Sequence, residues 1–269
     1  MKNLEFEPRT SHFFVLPSAF CLLPSAFCFK LSPMRPVPVA SPCPRCNGSG
    51  WVPMADDNLR VEPCGCQGDL RKRERVLSAS IPKRYAHCTL DTFRDDSTVL
   101  RNAKKRVQEF VYLWPNTNGL LLMGGCGAGK THLAVAALLE VINSGKPGRM
   151  LFSNFQDLIQ EIQASFDSDE VPSKSELLRP LLEADLLVLD ELGSQKPTNF
   201  VQDILYYVIN SRYNAELTTI FTTNYPEHAS DAKEETFEQR IGTRLRSRLA
   251  EMAERVELAG ATDYRRNRL

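Results

Sequence analysis

Two common features are missing from this sequence of 269 residues: a long apolar run and a net charge. No run reaches the roughly 18 apolar residues that a membrane-spanning helix needs, so we expect no membrane partner. The 33 basic residues balance the 33 acidic ones, which excludes a whole-molecule field that would attract a polyanion. Contact with nucleic acid therefore has to come from a local basic patch. Residues 70–75 and 240–268 are candidates, but each is equally typical of a solvated helix face.

The N-terminus lacks a recognisable signal peptide. Residues 16–28 repeat one short apolar unit, yet prolines interrupt it and Glu5 and Glu7 precede it. No Ala-x-Ala-like cleavage site follows the repeat. We therefore interpret residues 1–38 as a disordered low-complexity tail, with Met34 as a candidate alternative start.

The rest of the chain divides by composition into three zones. Residues 39–70 are rich in cysteine, glycine and proline, residues 71–82 form a basic linker, and residues 83–269 alternate apolar strand-like runs with helical patterns. Such alternation predicts a doubly wound α/β domain, in which helices cover both faces of a parallel sheet. The predicted strands are 119–124, 149–152, 186–190, 218–224 and 255–258, and the predicted helices include 154–166, 200–213 and 236–253.

Residues 124–131 read Gly-Gly-Cys-Gly-Ala-Gly-Lys-Thr and match the phosphate-binding loop of P-loop ATPases, with a strand before and a helix after. Glycines allow backbone N–H groups to surround a triphosphate, and the N-terminus of the following helix favours an anion. The lysine offers a charge to the β- and γ-phosphates, and the threonine hydroxyl binds Mg²⁺. The predicted ATP-binding residues are Gly124, Gly125, Cys126, Gly127, Ala128, Gly129, Lys130 and Thr131.

Two acidic residues follow the strand 186–190. Asp190 ends that strand at the edge where open α/β sheets bind ligands, so we predict that it binds Mg²⁺ and thereby ATP. Glu191 is placed to activate the attacking water as a general base. Asn224 ends the next strand and is a candidate for orienting water near the γ-phosphate. The alternatives are a helix N-cap for the acidic pair and an ordinary turn for Asn224.

Further motifs accompany the loop and the acidic pair. They are the run 124–134, the Asp-Glu-Leu-Gly box 190–193, Thr-Asn at 223–224, the arginine-rich run 240–249, the segments 82–85 and 90–93, and Asp-Tyr-Arg at 263–265. Together they resemble the bacterial DnaC/DnaI helicase-loader family of AAA+ ATPases, and the related IstB transposition ATPases share most of them. The resemblance covers about residues 80–266 and implies an AAA+ fold with a five-stranded parallel sheet.

This resemblance also assigns roles to two arginines. Arg248 matches the arginine finger that reaches ATP in a neighbouring subunit, and Arg265 matches the sensor arginine that contacts the γ-phosphate within its own subunit. A guanidinium suits both roles because it is always charged and can fork onto phosphate oxygens. Arg244 is the alternative finger, and Arg248 is then an exposed helix charge.

Four cysteines lie in the zone 39–70. Cys43 and Cys46 form a Cys-x-x-Cys knuckle, and Cys64 and Cys66 follow about twenty residues later. Four thiolates complete a tetrahedron, so we predict a structural Zn²⁺ site in an N-terminal module that is too small to bury a core. Unliganded or redox-active thiols are the alternative. The knuckle also resembles one found in DnaJ-type chaperones, but its single copy excludes that family.

The motifs and the resemblance together predict a cytoplasmic, ATP-hydrolysing AAA+ protein. It is expected to load a hexameric replicative helicase, to bind single-stranded DNA and to form a homo-oligomer. The alternative function is that of an IstB-like ATPase assisting a transposase. A third hypothesis, a binding module on an inactive P-loop, disagrees with the intact Lys130, Thr131, Asp190, Glu191 and Asn224.

Overall fold

The computed structural model describes residues 43–54, 57–166, 172–229, 231 and 234–258. The predicted tail 1–38 and Arg265 lie outside the described residues. The strands are β1 (Trp51–Met54), β2 (Asp57–Pro63), β3 (Gly119–Met123), β4 (Met150–Asn154), β5 (Leu186–Asp190), β6 (Thr218–Thr223) and β7 (Ala253–Glu257). The helices are α1 (Gly65–Ser78), α2 (Thr98–Leu113), α3 (Lys130–Asn143), α4 (Phe155–Ala164), α5 (Lys174–Glu183), α6 (Asn199–Asn214), α7 (Phe237–Ile241) and α8 (Thr243–Met252). Among the residues described, no helix has the length and apolar character to cross a membrane.

A five-stranded parallel sheet in the order β4-β5-β6-β3-β7 lies at the centre of the α/β domain, which confirms the predicted fold class. β3 and β5 are buried along their whole length because helices cover both faces. α2 and α3 contribute to the apolar core on one face, and α4 to α8 contribute to the core on the other. Since the strands are parallel, the carboxyl ends of β3, β5 and β6 meet at one edge of the sheet.

The predicted helix 236–253 is wrong in one respect, because the structure divides it into α7 and α8 at Gly242. Gly242 has φ 86° and ψ 150°, a backbone conformation that essentially only glycine adopts. α7 has its own capping box, in which the Gln239 N–H donates to the Thr236 hydroxyl and the Thr236 N–H donates to the Gln239 side chain. Strand β7 begins at Ala253, inside the predicted helix.

The sequence patterns did not predict α2 or α5. α2 begins after Ser97, whose hydroxyl accepts from the Leu100 N–H at 3.2 Å. α5 begins with a capping box formed by Ser173 and Glu176, and it contains Pro180. In a sequence, proline usually marks the end of a helix. Pro180 therefore hides the helical pattern of α5, although the helix continues past it.

β1 and β2 form an antiparallel hairpin, and α1 leads from it to the sheet. Because α1 continues to Ser78, the first part of the predicted linker 71–82 is helical. The segment after α1 contacts the edge strand β4, where the Phe152 N–H donates to the Ala79 carbonyl at 2.8 Å. Ala79 is fully buried there, so the chain between the two parts is packed against the domain.

Candidate ATP site and cysteine cluster

The loop 124–129 joins β3 to α3 at the carboxyl edge of the sheet. Gly129 has φ 96°, and a Cβ there would lie 2.7 Å from Cε2 of Phe93, so glycine is required. Lys130 opens α3 and is only 6% exposed. Its ammonium donates to the carbonyls of Gly124 and Gly125, both at 2.8 Å. This buried cation and the N-terminus of α3 together favour an anion at the loop.

Asp190 lies at the end of β5 and is almost fully buried. Its Oδ1 accepts hydrogen bonds from the hydroxyls of Thr131, at 2.9 Å, and Thr222, at 2.6 Å. Its Oδ2 is buried without a hydrogen-bond partner among the described residues. Burial raises the pKa of this carboxyl above its ordinary value, although both threonine hydroxyls oppose the shift. A buried carboxylate with one unpartnered oxygen is suited to a divalent cation.

Glu191 follows in the left-handed region, with φ 60°. Its N–H donates to the Thr222 hydroxyl at 2.9 Å, and its Oε2 accepts from the Asn154 side-chain amide at 3.1 Å. Asn154 is the last residue of β4 and also caps α4 by accepting from the Gln156 N–H at 2.9 Å. The sequence analysis did not identify Asn154 as a site residue.

Asn224 directly follows β6, which lies between β3 and β5 in the sheet. The residue is exposed, and within the described part of the chain its side chain makes no hydrogen bond. Because β6 lies between β3 and β5, Asn224 lies at the same edge of the sheet as the loop and the acidic pair.

The four arginines of the run 240–249 have different environments. Arg240 donates to backbone carbonyls of Gly193, Ser194 and Gln195, and Arg246 forms a two-nitrogen ion pair with Glu227. The Arg248 guanidinium lies over the rings of Tyr206 and Tyr213, with centroid distances of 4.9 and 5.8 Å. Arg244 is exposed, and within the described residues it has no hydrogen bond or ion pair. Arg244 and Arg248 share one face of α8, so both candidate fingers remain on the same surface.

The segment 89–93 packs against the start of α3. His132 lies one position after Thr131, and its Nε2 is 2.9 Å from the Thr89 carbonyl oxygen. The rings of Phe93 and His132 pack edge to face with centroids 5.5 Å apart. Burial lowers the pKa of His132 below its ordinary value. These contacts attach the segment 89–93 to the start of α3, next to the loop.

The four cysteines predicted to bind zinc come together in the N-terminal module, with all sulfur atoms within 4.8 Å of one another. Cys43 Sγ lies 3.9 Å from Cys64 Sγ, and Cys46 Sγ lies 3.4 Å from Cys66 Sγ. Hydrogen bonding with Cys46 and Cys64 raises the pKa of Cys66, whereas backbone hydrogen bonds lower the pKa of Cys43. A Zn–S distance of about 2.3 Å implies S–S distances near this range, so the donor set fits tetrahedral zinc.

A protein-family model described as the IstB-like ATP binding protein matches residues 67–269, about three quarters of the chain. The chain belongs to this family. The match includes the loop, both acidic residues and all four arginines of the run 240–249. The IstB-like family is described as ATP-binding, which agrees with the geometry of the loop.

Individual proteins similar to this IstB-like chain are named as replicative helicase loaders. The replicative helicase loader DnaC of Buchnera aphidicola (from Acyrthosiphon pisum) is 28% identical over 158 residues, which are 57% of this chain and 62% of the relative. The protein of the same name from Escherichia coli K12 is 26% identical over 155 residues, with the same coverage. The chain thus spans about 62% of the length of these curated relatives.

Solved structures give the same picture. A crystal structure of the DnaC helicase loader is 31% identical, with a TM-score of 0.57, and covers 65% of this chain and 99% of that one. A crystal structure of DnaI is 20% identical with a TM-score of 0.55 and shows the fold alone. These comparisons confirm the predicted resemblance to DnaC/IstB-like AAA+ proteins. All four clustered cysteines precede residue 67, so the family match says nothing about their role.

Proposed function

We propose that this protein binds ATP together with Mg²⁺ at the loop 124–131 and hydrolyses it. The environment of Asp190 carries this proposal, because one carboxylate oxygen is held by Thr131 and Thr222 while the other is buried without a partner in the described chain. Thr131 and Asp190 would hold the metal. Mg²⁺ held there would neutralise negative charge on the phosphates.

The protein's own groups have distinct tasks in this hydrolysis. Lys130 exchanges its contacts with loop carbonyls for contacts with the phosphates, since an ammonium is a mobile point charge. Glu191 accepts a proton from the attacking water, and Asn154 orients its carboxylate by hydrogen bonding. Asn224, at the neighbouring strand end, contacts that water or the γ-phosphate, and Arg265 contacts the γ-phosphate within the same subunit.

The test of this site is the Glu191→Gln variant, measured by calorimetry for ATP affinity and by single-turnover hydrolysis for rate. We expect ordinary affinity and hydrolysis slower by about 10²-fold or more, because the metal ligand stays while the base is lost. Hydrolysis at the wild-type rate would remove Glu191 from the reaction. An unchanged rate in a Thr131→Val variant would argue against the metal site.

We further propose that the protein contacts single-stranded DNA through the basic stretch of α1, where Arg71, Lys72 and Arg73 are all exposed. Basic side chains bind DNA by neutralising phosphates, and such binding weakens as the salt concentration rises. In an anisotropy titration with an oligo-dT probe, Lys72→Ala should therefore bind more weakly than the wild type. Lys105→Ala, an exposed lysine on α2, is the control that should bind as the wild type does.

The biological role that we propose is loading of a hexameric replicative helicase by a homo-oligomer in the cytoplasm. The names of the relatives support this role, and the proposed DNA contact agrees with it. Assistance to a transposase is the second candidate, favoured by the IstB-like family match over residues 67–269. Affinity purification of the tagged protein from its own cells separates the two, because the first role predicts a co-purifying helicase and the second a transposase.

For the N-terminal part we propose a structural zinc module over residues 39–70, joined by residues 71–82 to an ATPase domain over residues 83–269. The converging sulfur atoms of the four cysteines support the zinc assignment. A hairpin and the start of α1 cannot bury an independent core, so the metal would stabilise the module. Its outward surface would then recruit the partner protein.

A further inference from the structure

A tight turn follows the acidic pair. It begins at Glu191, which has φ 60°, and Gly193 has φ 85°. The Ser194 N–H closes the turn by donating to the Glu191 carbonyl at 3.1 Å. A non-glycine residue in the left-handed region persists only where its surroundings hold it. The conformation of Glu191 therefore depends on what holds this turn.

The first part of the turn is held by β6. The Leu192 N–H donates to the Thr222 carbonyl at 2.8 Å, and the Thr223 hydroxyl donates to the Leu192 carbonyl at 2.9 Å. Together with the bond from the Glu191 N–H to the Thr222 hydroxyl, these contacts attach the first half of the turn to β6. They do not reach the carbonyls of residues 193–195.

Arg240 on α7 satisfies those three carbonyls. Its Nε donates to the Gly193 carbonyl at 2.9 Å, and its Nη2 donates to those of Ser194, at 3.2 Å, and Gln195, at 2.9 Å. Its Nη1 forms an ion pair with Glu235 at 2.9 Å. The side chain is only 9% exposed, so water offers little substitute for these contacts.

The same guanidinium joins the turn to the segment after β6. It lies over the Tyr225 ring, 4.8 Å from the centroid, and Tyr225 directly follows Asn224. Gly193 is packed between the two side chains, since a Cβ at this position would lie 3.3 Å from Arg240 Cβ and 3.3 Å from Tyr225 Cδ2. Arg240 thus contacts both segments that carry the proposed water-handling residues.

We infer that Arg240 is a positioning residue for ATP hydrolysis, which acts by fixing the turn that orients Glu191. The inference rests on the proposed function, because it takes Glu191 as the base. Arg240 contributes no contact to the loop 124–129, whose lysine and metal-binding residues have their own partners. Loss of Arg240 should therefore lower the rate of hydrolysis and leave ATP affinity nearly unchanged.

The experiment compares Arg240→Met with Lys146→Met. The control is matched because the Lys146 ammonium also donates to three backbone carbonyls, those of Val111, Tyr112 and Trp114, but at the C-terminal end of α2. We expect Arg240→Met to reduce kcat by about tenfold or more with ATP affinity within about twofold of wild type. Lys146→Met should keep kcat within about twofold even if its Tm falls. Equal losses of kcat in the two variants would overturn the inference.

A double-mutant cycle identifies the residue through which Arg240 acts. In the Glu191→Gln background, Arg240→Met should slow single-turnover hydrolysis by less than about twofold, because the positioned group is already gone. A further tenfold loss in that background would overturn the inference. If Arg240→Met does not fold, Arg240→Lys takes its place, since a lysine cannot serve all three carbonyls and should give an intermediate kcat. The proposed base itself fails separately, if Glu191→Gln alone retains the wild-type rate.

Discussion

At the scale of single residues, the candidate site is built around charges that are buried before any ligand binds. Lys130 is bonded to two loop carbonyls, and Asp190 is held by two threonine hydroxyls. Burial raises the pKa of Asp190, which means that its ionised form is disfavoured until a cation arrives. A divalent cation bound at Asp190 would offset the desolvation and favour the ionised carboxylate.

Replacement of Lys130 by alanine removes the main cation for the phosphates. A hydrogen bond to a charged group contributes about 1.5–3 kcal/mol, so we expect ATP affinity to fall by about tenfold to a hundredfold. Calorimetric titration with ATP and Mg²⁺ measures this directly. Lys105→Ala is the control, because that lysine is exposed on α2 and, among the described residues, pairs only with Glu109. Wild-type affinity in Lys130→Ala would contradict the assignment of the loop.

Asn154 offers a substitution that separates capping from catalysis. Asn154→Asp keeps an oxygen to accept from the N–H groups of α4 but replaces the amide donor to Glu191 with a second carboxylate. We expect the Tm to change little and hydrolysis to slow by about tenfold, because the base loses the group that orients it. Thermal unfolding and single-turnover hydrolysis are the measurements. A faster rate would instead mean that Asn154 restrains Glu191.

The residues differ in how far the sequence could predict them. The positions of Lys130, Asp190 and Glu191 follow from local patterns. Lys130 belongs to the glycine-rich loop motif after one predicted strand, Asp190 ends another predicted strand, and Glu191 follows it. Asn154 could not be found in this way, because its role depends on the pairing of β4 with β5, which places Asn154 opposite Asp190. A local sequence pattern does not specify which strands pair with each other. Arg265 lies outside the described residues, so its proposed role stays a prediction.

At the scale of elements, the break between α7 and α8 sets the direction of the helix that carries Arg244 and Arg248. The sequence predicted one helix over 236–253, because the spacing of apolar residues is helical on both sides of the break. The conformation of Gly242 ends α7, and no pattern of apolar residues records a backbone angle. The strands of the sheet were predictable because each is a short, continuous apolar run, which is typical of a buried strand.

The Gly242→Ala variant tests the importance of this break. A Cβ at Gly242 meets nothing within 4 Å, so the effect should come from backbone strain alone. We expect the free energy of unfolding to fall by about 1–3 kcal/mol, measured by urea denaturation. Gly68→Ala, in α1 with equally open surroundings, is the control and should be neutral or stabilising. Equal stability of the two variants would contradict the strained conformation.

The zinc module is the second element whose behaviour can be tested. Purified protein should contain about one zinc ion per chain by elemental analysis, and Cys46→Ser should lose it. Cys88→Ser is the matched control, because Cys88 is also buried but lies in the apolar core of the domain. A zinc-free preparation that retains the β1–β2 hairpin, judged by protease resistance of residues 43–63, would contradict the assignment.

At the scale of the whole molecule, the proposed arginine finger requires more than one chain. Arg248→Ala should bind ATP nearly as wild type does but hydrolyse it poorly, because a finger is worth about 10³–10⁵ in rate and comes from a neighbour. Mixing Arg248→Ala with Glu191→Gln should restore part of the activity, since intact residues then meet at shared sites. ATPase rate against mixing ratio, with DNA present, is the measurement.

The mixing experiment has two informative alternatives. If recovery requires an intact Arg244 and not an intact Arg248, Arg244 is the finger. Arg244 is exposed and unpaired within the described structure, so it is free to reach a neighbouring subunit. Arg248 would then serve to pack α8 on Tyr206 and Tyr213. An absence of recovery at every ratio, for both arginines, would indicate that each chain hydrolyses ATP alone.

The hydrogen bond between Phe152 and Ala79 has a consequence for how copies of this chain can meet. β4 and β7 are the edge strands, and edges with open N–H and C=O groups recruit foreign strands. On β4, the segment after α1 occupies part of that edge. On β7, the charged side chains of Glu254, Arg255 and Glu257 discourage a neighbour. Both edges thus resist pairing with a foreign strand, so the proposed assembly of copies would have to rely on side-chain contacts.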